Sequence, residues 1–184
     1  SSSSAASDVY KRQALNYEES FPELVSRMSA LYQKAIDFPY TDEDGIKRSK
    51  FINLDMEEYK DAHFTLRLFK AVLNLPQFKN YSAGIVVQAY LPDAYDFQTE
   101  LLEFAKARID GGGAPIKMRL VKGCNLEMET VISSLKGWPN PIRPSKTEVD
   151  ANYLCLLERG LMPENARVLH LGVASHNPVS YTHL

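Results

Sequence analysis

Short, continuously apolar runs alternate with longer stretches of helical periodicity, and this alternation constrains the fold more than any other feature. The clearest run is "GIVVQAYL" at 84–91, β-branched, apolar and bounded by loops. "FINLD" (51–55), "PIKMRLV" (115–121) and "ARVLHLGVASHN" (166–177) supply three more strands. Around them the apolar positions recur at helical spacing. Residues 15–37 carry Leu15, Phe21, Leu24, Met28, Leu31 and Ala35, and residues 57–74 carry Phe64, Leu68 and Val72. The stretch 92–110 carries Phe97, Leu101 and Phe104, with Asp93 as its expected N-cap, and stops at glycines 111–113. "LEMETVISSLKG" (126–137) is helical in pattern. "SKTEVDANYLCLLERG" (145–160) adds a capping box, Ser145 with Glu148, and closes on Gly160. "DFPYTDEDGIKRSK" (37–50) reads as a polar connection.

The order is therefore α-β-α-β-α-β-α-α-β. Apolar strands separated by helices argue for an α/β fold with a parallel sheet covered on both faces. A doubly wound open sheet and part of a (β/α)8 barrel both fit. The 184 residues suit one domain or a piece of a larger one. A net charge of −2 exerts no global pull on nucleic acid or an acidic membrane, and the scattered tyrosines form no stacking platform for bases. Two cysteines, Cys124 and Cys155, make no disulfide framework and no CxxC pair, which points to a reduced, intracellular setting. Both ends join the patterned region abruptly. Residues 1–13 and 178–184 are expected to be non-native or disordered tails around a domain at 14–177.

Each strand ends on chemically capable residues. The first finishes at Asp55, followed by Glu57 and Glu58; the second carries Gln88 and Tyr90. The third carries Arg119 and Lys122, and the fourth ends on Ser175, His176 and Asn177. The carboxyl edge of a βα sheet is where ligands bind. Taken singly, each residue has a plainer reading. Asp55 can cap the following helix or pair with Arg119, Gln88 can be a satisfied core amide, and His176 can be structural. Glu57 and Glu58 suit a solvated first helical turn. Four strands placing polar groups at one edge outweigh any single residue. "GGGAP" is no phosphate loop, because it lacks the lysine–serine/threonine ending and precedes a strand.

"FINLDMEEYKDAHFTLRLF", "GIVVQAYLPDA", "IKMRLVKGCNLEME", "KTEVDANYLCLLERGL" and "GVASHN" together resemble the proline dehydrogenase domain. That domain also occurs in bifunctional proline-utilization flavoenzymes. The resemblance implies a (β/α)8 TIM barrel with FAD at its carboxyl face, of which about four parallel strands, the third to sixth of eight, are present. It implies oxidation of L-proline to 1-pyrroline-5-carboxylate, a membrane quinone as electron acceptor, and an aldehyde dehydrogenase domain following in bifunctional members. A cytoplasmic location at the membrane surface goes with it. By motif match, Asp55 is the active-site aspartate and Arg119 the arginine near the flavin. Met56, Gln88, the turn Gly123, Cys124 and Asn125, and Ser175 with His176 match FAD-contacting positions. Lys122 would add field or hold phosphate or ribose oxygens. Many relatives have an alanine and two aromatics where this chain has Cys124, Asn125 and Leu126, which leaves the aromatic packing about flavin or substrate without its usual residues.

Four strands cannot close a barrel, so the chain alone is expected to be aggregation-prone and inactive. No metal site belongs to this reading. A Schiff-base aldolase using Lys122 or Lys117 is the main rival. A metal-assisted hydrolase using Asp55, Glu58 and His176 and a non-enzymatic scaffold follow it.

Overall fold

A computed structural model describes residues 2–56, 59–123, 130, 131, 133–135, 137, 140, 142 and 145–174. Along the chain lie α1 (Ser2–Asp37), β1 (Tyr40–Thr41), β2 (Lys47–Arg48) and β3 (Asn53–Leu54). A 3-10 turn (Tyr59–Asp61), α2 (Ala62–Leu73), a second 3-10 turn (Pro76–Phe78), β4 (Gly84–Gln88) and α3 (Ala94–Asp110) follow. β5 (Ile116–Val121), α4 (Lys146–Leu161), α5 (Pro163–Ala166) and β6 (Leu169–Val173) complete it. The tail expected at 1–13 falls largely within the backbone of α1, and 178–184 lies outside the described residues. Of the helical pattern at 126–137, residues 130, 131 and 133–135 are helical; the rest, Gly137 aside, lies outside the described residues. No described helix is long and apolar enough to cross a membrane.

β3, β4, β5 and β6 form one parallel sheet in sequential order. A doubly wound sheet reverses its strand order at a switch point; this order never reverses, as in the wall of a barrel. Gly84 lies opposite Lys117 and Lys117 opposite His170, while Val86 lies opposite Arg119 and Arg119 opposite Gly172. Alternation along each strand sorts these residues onto two faces. Buried Ile116, Met118 and Leu120 alternate in β5 with Lys117, Arg119 and Val121, none of which is fully buried. The expectation of cover on both faces holds for β4, which is buried throughout, and is corrected for β5 and β6. Ile85, Val87, Ile116, Met118, Leu120 and Leu169 join Phe69, Val72, Leu101 and Leu156 in a single core. The opposite face, the concave one in a barrel wall, carries Gln88, Lys117, Arg119 and His170 together with buried Val86. Each fully buried Leu, Ile or Phe of the core contributes about 1.5–3 kcal/mol.

Two helical stripes differ in phase from the sequence reading. Leu68 and Val72 are buried, but Phe64 instead meets Phe21 of α1 edge-on, with ring centroids 5.6 Å apart. In α1, Tyr32 enters the core and Leu31 stays 48% exposed. Tyr32 packs against Phe78 and Tyr81 at 5.7 and 5.1 Å, contacts that an aliphatic stripe does not anticipate. The polar connection at 37–50 contains the β1–β2 hairpin. Its turn is held by Asp42, whose Oδ1 accepts from the backbone N–H groups of Asp44 and Ile46, and by Gly45 at φ +77°.

The capping expectation holds at Ser145, whose Oγ accepts the Glu148 N–H at 3.2 Å. Gly160 does not close α4, which runs one residue further. A Cβ there would lie 3.2 Å from Leu171 Cδ2, so this glycine marks close packing of helix on strand. At the amino edge of the sheet, Arg108 is 9% exposed and donates to the carbonyls of Leu73, Phe78, Lys79, Tyr81 and Ala114. Nothing in the spacing of α3 announces that role.

Candidate active site

Parallel pairing brings the carboxyl ends of β3, β4 and β5 side by side, and the polar residues of the concave face meet there. Arg119 Nη2 donates to Asp55 Oδ1 at 2.8 Å. The same oxygen accepts from Asn53 Nδ2 at 2.6 Å. The Asp55 and Arg119 side chains are 57% and 45% exposed. An ion pair that open is worth only about 0–1 kcal/mol to the fold. Stability alone is a weak reason for a guanidinium on this face, and one side of it stays open to a ligand.

Gln88 and Met56 are 3% and 4% exposed. Gln88 Nε2 donates to the Met56 carbonyl at 2.9 Å, so its donor holds the turn after β3. The plainer reading of Gln88, a satisfied buried amide, describes this geometry. Asp93 precedes α3 as expected but makes no side-chain cap bond. Its carboxylate accepts instead from the Tyr59 hydroxyl at 2.6 Å.

Lys122 goes elsewhere. One step past β5, it points toward α4, where its Nζ donates to Asp150 Oδ1 at 2.6 Å. Lys146 Nζ reaches the other oxygen at 2.9 Å. These two bonds, with Lys122 the larger cause, draw the Asp150 carboxyl below its usual range. Lys122 Nζ also stands 5.5 Å from the Tyr153 ring centroid. Asp150 is a site residue that sequence reasoning missed; its Lys146 partner four residues away was the available signal. Beside it, Gly123 takes φ +139°. A Cβ there would sit 2.0 Å from Cδ1 of buried Tyr90. Only glycine allows this approach. Between these parts opens a cleft of about 480 Å³, lined by Tyr90, Lys122, Gly123, Ser145, Lys146 and Asp150 among others.

The structure thus joins Asp55 to Arg119 and Met56 to Gln88, and sets Lys122 and Gly123 across a cleft from α4. Cys124, Asn125, Ser175 and His176 lie outside the described residues, as do Glu57 and Glu58. Among the described residues no group of three His, Cys, Asp or Glu could hold a metal ion. The aldolase reading is not favoured. A Schiff-base lysine needs an amine open to the substrate carbonyl, whereas Lys122 is held by the Asp150 carboxylate and Lys117 lies 4.5 Å over the Phe51 ring.

A sequence model of the family described as Proline dehydrogenase matches residues 2–184. The chain is 34% identical over 92 residues to hydroxyproline dehydrogenase of Bos taurus, covering 49% of this chain and 19% of that protein. Among solved structures it resembles proline utilization A of Corynebacterium freiburgense, with TM-score 0.79, 43% identity, 88% of this chain and 16% of that one. It also resembles proline utilization A of Bdellovibrio bacteriovorus inactivated by N-propargylglycine, with TM-score 0.75, 37% identity, 88% of this chain and 15% of that one. The chain therefore spans less than a fifth of the length of these relatives.

Proposed function

The chain belongs to the proline dehydrogenase family, and on that premise we propose that it forms one wall of the active site of a longer flavoenzyme oxidising L-proline. Bound FAD would supply the acceptor for the hydride that leaves the ring carbon beside proline's nitrogen, while that nitrogen releases a proton to solvent, giving 1-pyrroline-5-carboxylate. The residues present suit such a group. Arg119 offers a permanent, planar positive charge where negative charge builds on an electron-accepting ring. Asp55, shared with Asn53, keeps that guanidinium on the concave face. Met56 sits beside them, its carbonyl fixed by Gln88. Lys122 and Lys146 line the cleft near the start of α4, a setting that favours anionic oxygens such as those of a diphosphate. Asp150 holds both ammoniums in place. Gly123 keeps the backbone low enough for close approach. Ser175 and His176 from the end of the fourth strand, with Cys124 and Asn125, complete the cofactor contacts on this reading.

The observation that carries the proposal is the half-exposed Arg119 guanidinium, aimed along the concave face by β5 and clamped by Asp55. On the same reading, electrons pass to a membrane quinone, an aldehyde dehydrogenase domain shares the polypeptide, and the enzyme works in the cytoplasm at the membrane surface. The test is a chimera in which this chain replaces the matching segment of the Corynebacterium freiburgense protein. Loaded with FAD and mixed anaerobically with L-proline, it should lose its visible flavin absorbance. Arg119→Met should slow that loss by about a hundredfold or more while FAD stays bound. Bleaching at an unchanged rate refutes the role of Arg119. A folded chimera that retains no FAD refutes the cofactor, and one that retains FAD but ignores proline refutes the substrate.

A further inference from the structure

The turn after β3 is held at successive points. Asp55 is held by Asn53 and Arg119, and the Met56 carbonyl by Gln88. A third hold comes from Tyr59, whose hydroxyl donates to Asp93 Oδ2 at 2.6 Å. Gln88 and Asp93 lie five residues apart at the end of β4 and the start of α3, so one βα unit grips the turn twice. Asp93 occupies the N-cap position with φ −78° and ψ 0°, and forgoes the capping bond that an aspartate makes there so readily. Its side chain is 33% exposed, and His63 Nε2 lies 3.9 Å from its carboxylate. His63 is itself placed by an edge-on contact with Phe97 at 4.8 Å.

We propose that Tyr59 is a positioning residue for the candidate active site: its bond to Asp93 fixes the turn that carries Asp55 and Met56 against the start of α3. The Asp93 bond and burial push the Tyr59 hydroxyl up to about 12, so it remains the donor over the whole working pH range. A cap serves α3 alone, whereas this bond serves the neighbouring loop. The role rests on the flavin reading for its chemistry but not for its structure.

The experiment uses the chimera described above as parent, with and without Tyr59→Phe, which removes one oxygen and keeps the ring. Hydrogen exchange of residues 52–56 should quicken about tenfold, the scale of one lost bond to a charged acceptor, while 97–110 in α3 stays unchanged. Asp93→Asn, which keeps an acceptor oxygen, should stay within about twofold of the parent, and Asp93→Leu should copy Tyr59→Phe. Unchanged exchange at 52–56, or equal quickening in α3, overturns the proposal. FAD is then titrated against both proteins by flavin fluorescence. Tyr59→Phe should bind about tenfold more weakly than the parent; equal binding overturns the positioning role. If the parent itself binds no FAD, the flavin reading fails, and the exchange data still decide whether Tyr59 fixes the turn.

Discussion

Replacing Arg108 by methionine isolates what a buried cation with no carboxylate partner among the described residues does for this fold. The guanidinium donates to five carbonyls. Two of them keep a donor without it: Phe78 O accepts the Tyr81 N–H, and Lys79 O accepts the Ala114 N–H. The Ala114 carbonyl lies on a half-buried turn where water can replace the lost bond. The Leu73 and Tyr81 carbonyls belong to residues that are 1% and 4% exposed, and water does not reach them readily. Each orphaned carbonyl costs about 1–3 kcal/mol. Burial holds the Arg108 pKa below the ordinary guanidinium value, and relief of that desolvation offsets part of the loss. The net expectation is about 3 kcal/mol of destabilisation. For a chain of this length that is a fall of about 6–12 °C in Tm. Urea and thermal unfolding followed by circular dichroism measure it. Arg108→Lys should recover less than half, because an ammonium has three donors on one atom and cannot span these carbonyls. A change within about 0.5 kcal/mol for methionine would refute the accounting.

Gly123→Ala should destabilise the chain by about 2–5 kcal/mol, adding backbone strain at positive φ to a clash with buried Tyr90. Denaturant titration checks it, and a loss below about 1 kcal/mol contradicts the geometry. Asp150 sets a pH dependence. Its folded-state pKa is lowered by Lys122 and Lys146, so its contribution is full above the unfolded value of about 3.9 and is lost as pH falls through the folded one. Asp150→Asn should flatten this part of the acid limb in urea midpoints measured against pH; an unaltered limb assigns the effect to other carboxyls.

The sheet was legible because its strands are short, apolar and bounded by turns. That same continuity hid the alternation of β5, where Lys117 and Arg119 interrupt an apolar run whose other members face the core. The pairing of Arg119 with Asp55 was readable as one of two alternatives, since both residues lie toward the carboxyl ends of strands, although the bond reaches across the intervening β4. The Lys122–Asp150 bond was not, because it joins a strand end to a helix residue 28 positions further along the chain. Asp93 shows how local pattern misleads. Its position before α3 is the one a cap occupies, yet a phenol across the loop competes for the carboxylate and wins. Arg108 was equally hidden, since its five acceptors are main-chain groups that leave no mark on residue type.

Arg119 and Lys122 stand three positions apart on one strand and its exit. An odd interval sends them to opposite sides of the sheet, one into the barrel interior and the other beneath α4. Inserting or deleting one residue between them would crowd both charges onto a single side, taking Arg119 from Asp55 or Lys122 from Asp150. Point changes around Asp150 can therefore retune the helix-side cleft while Arg119 keeps its charge on the opposite face. Length changes within this short segment can spare neither.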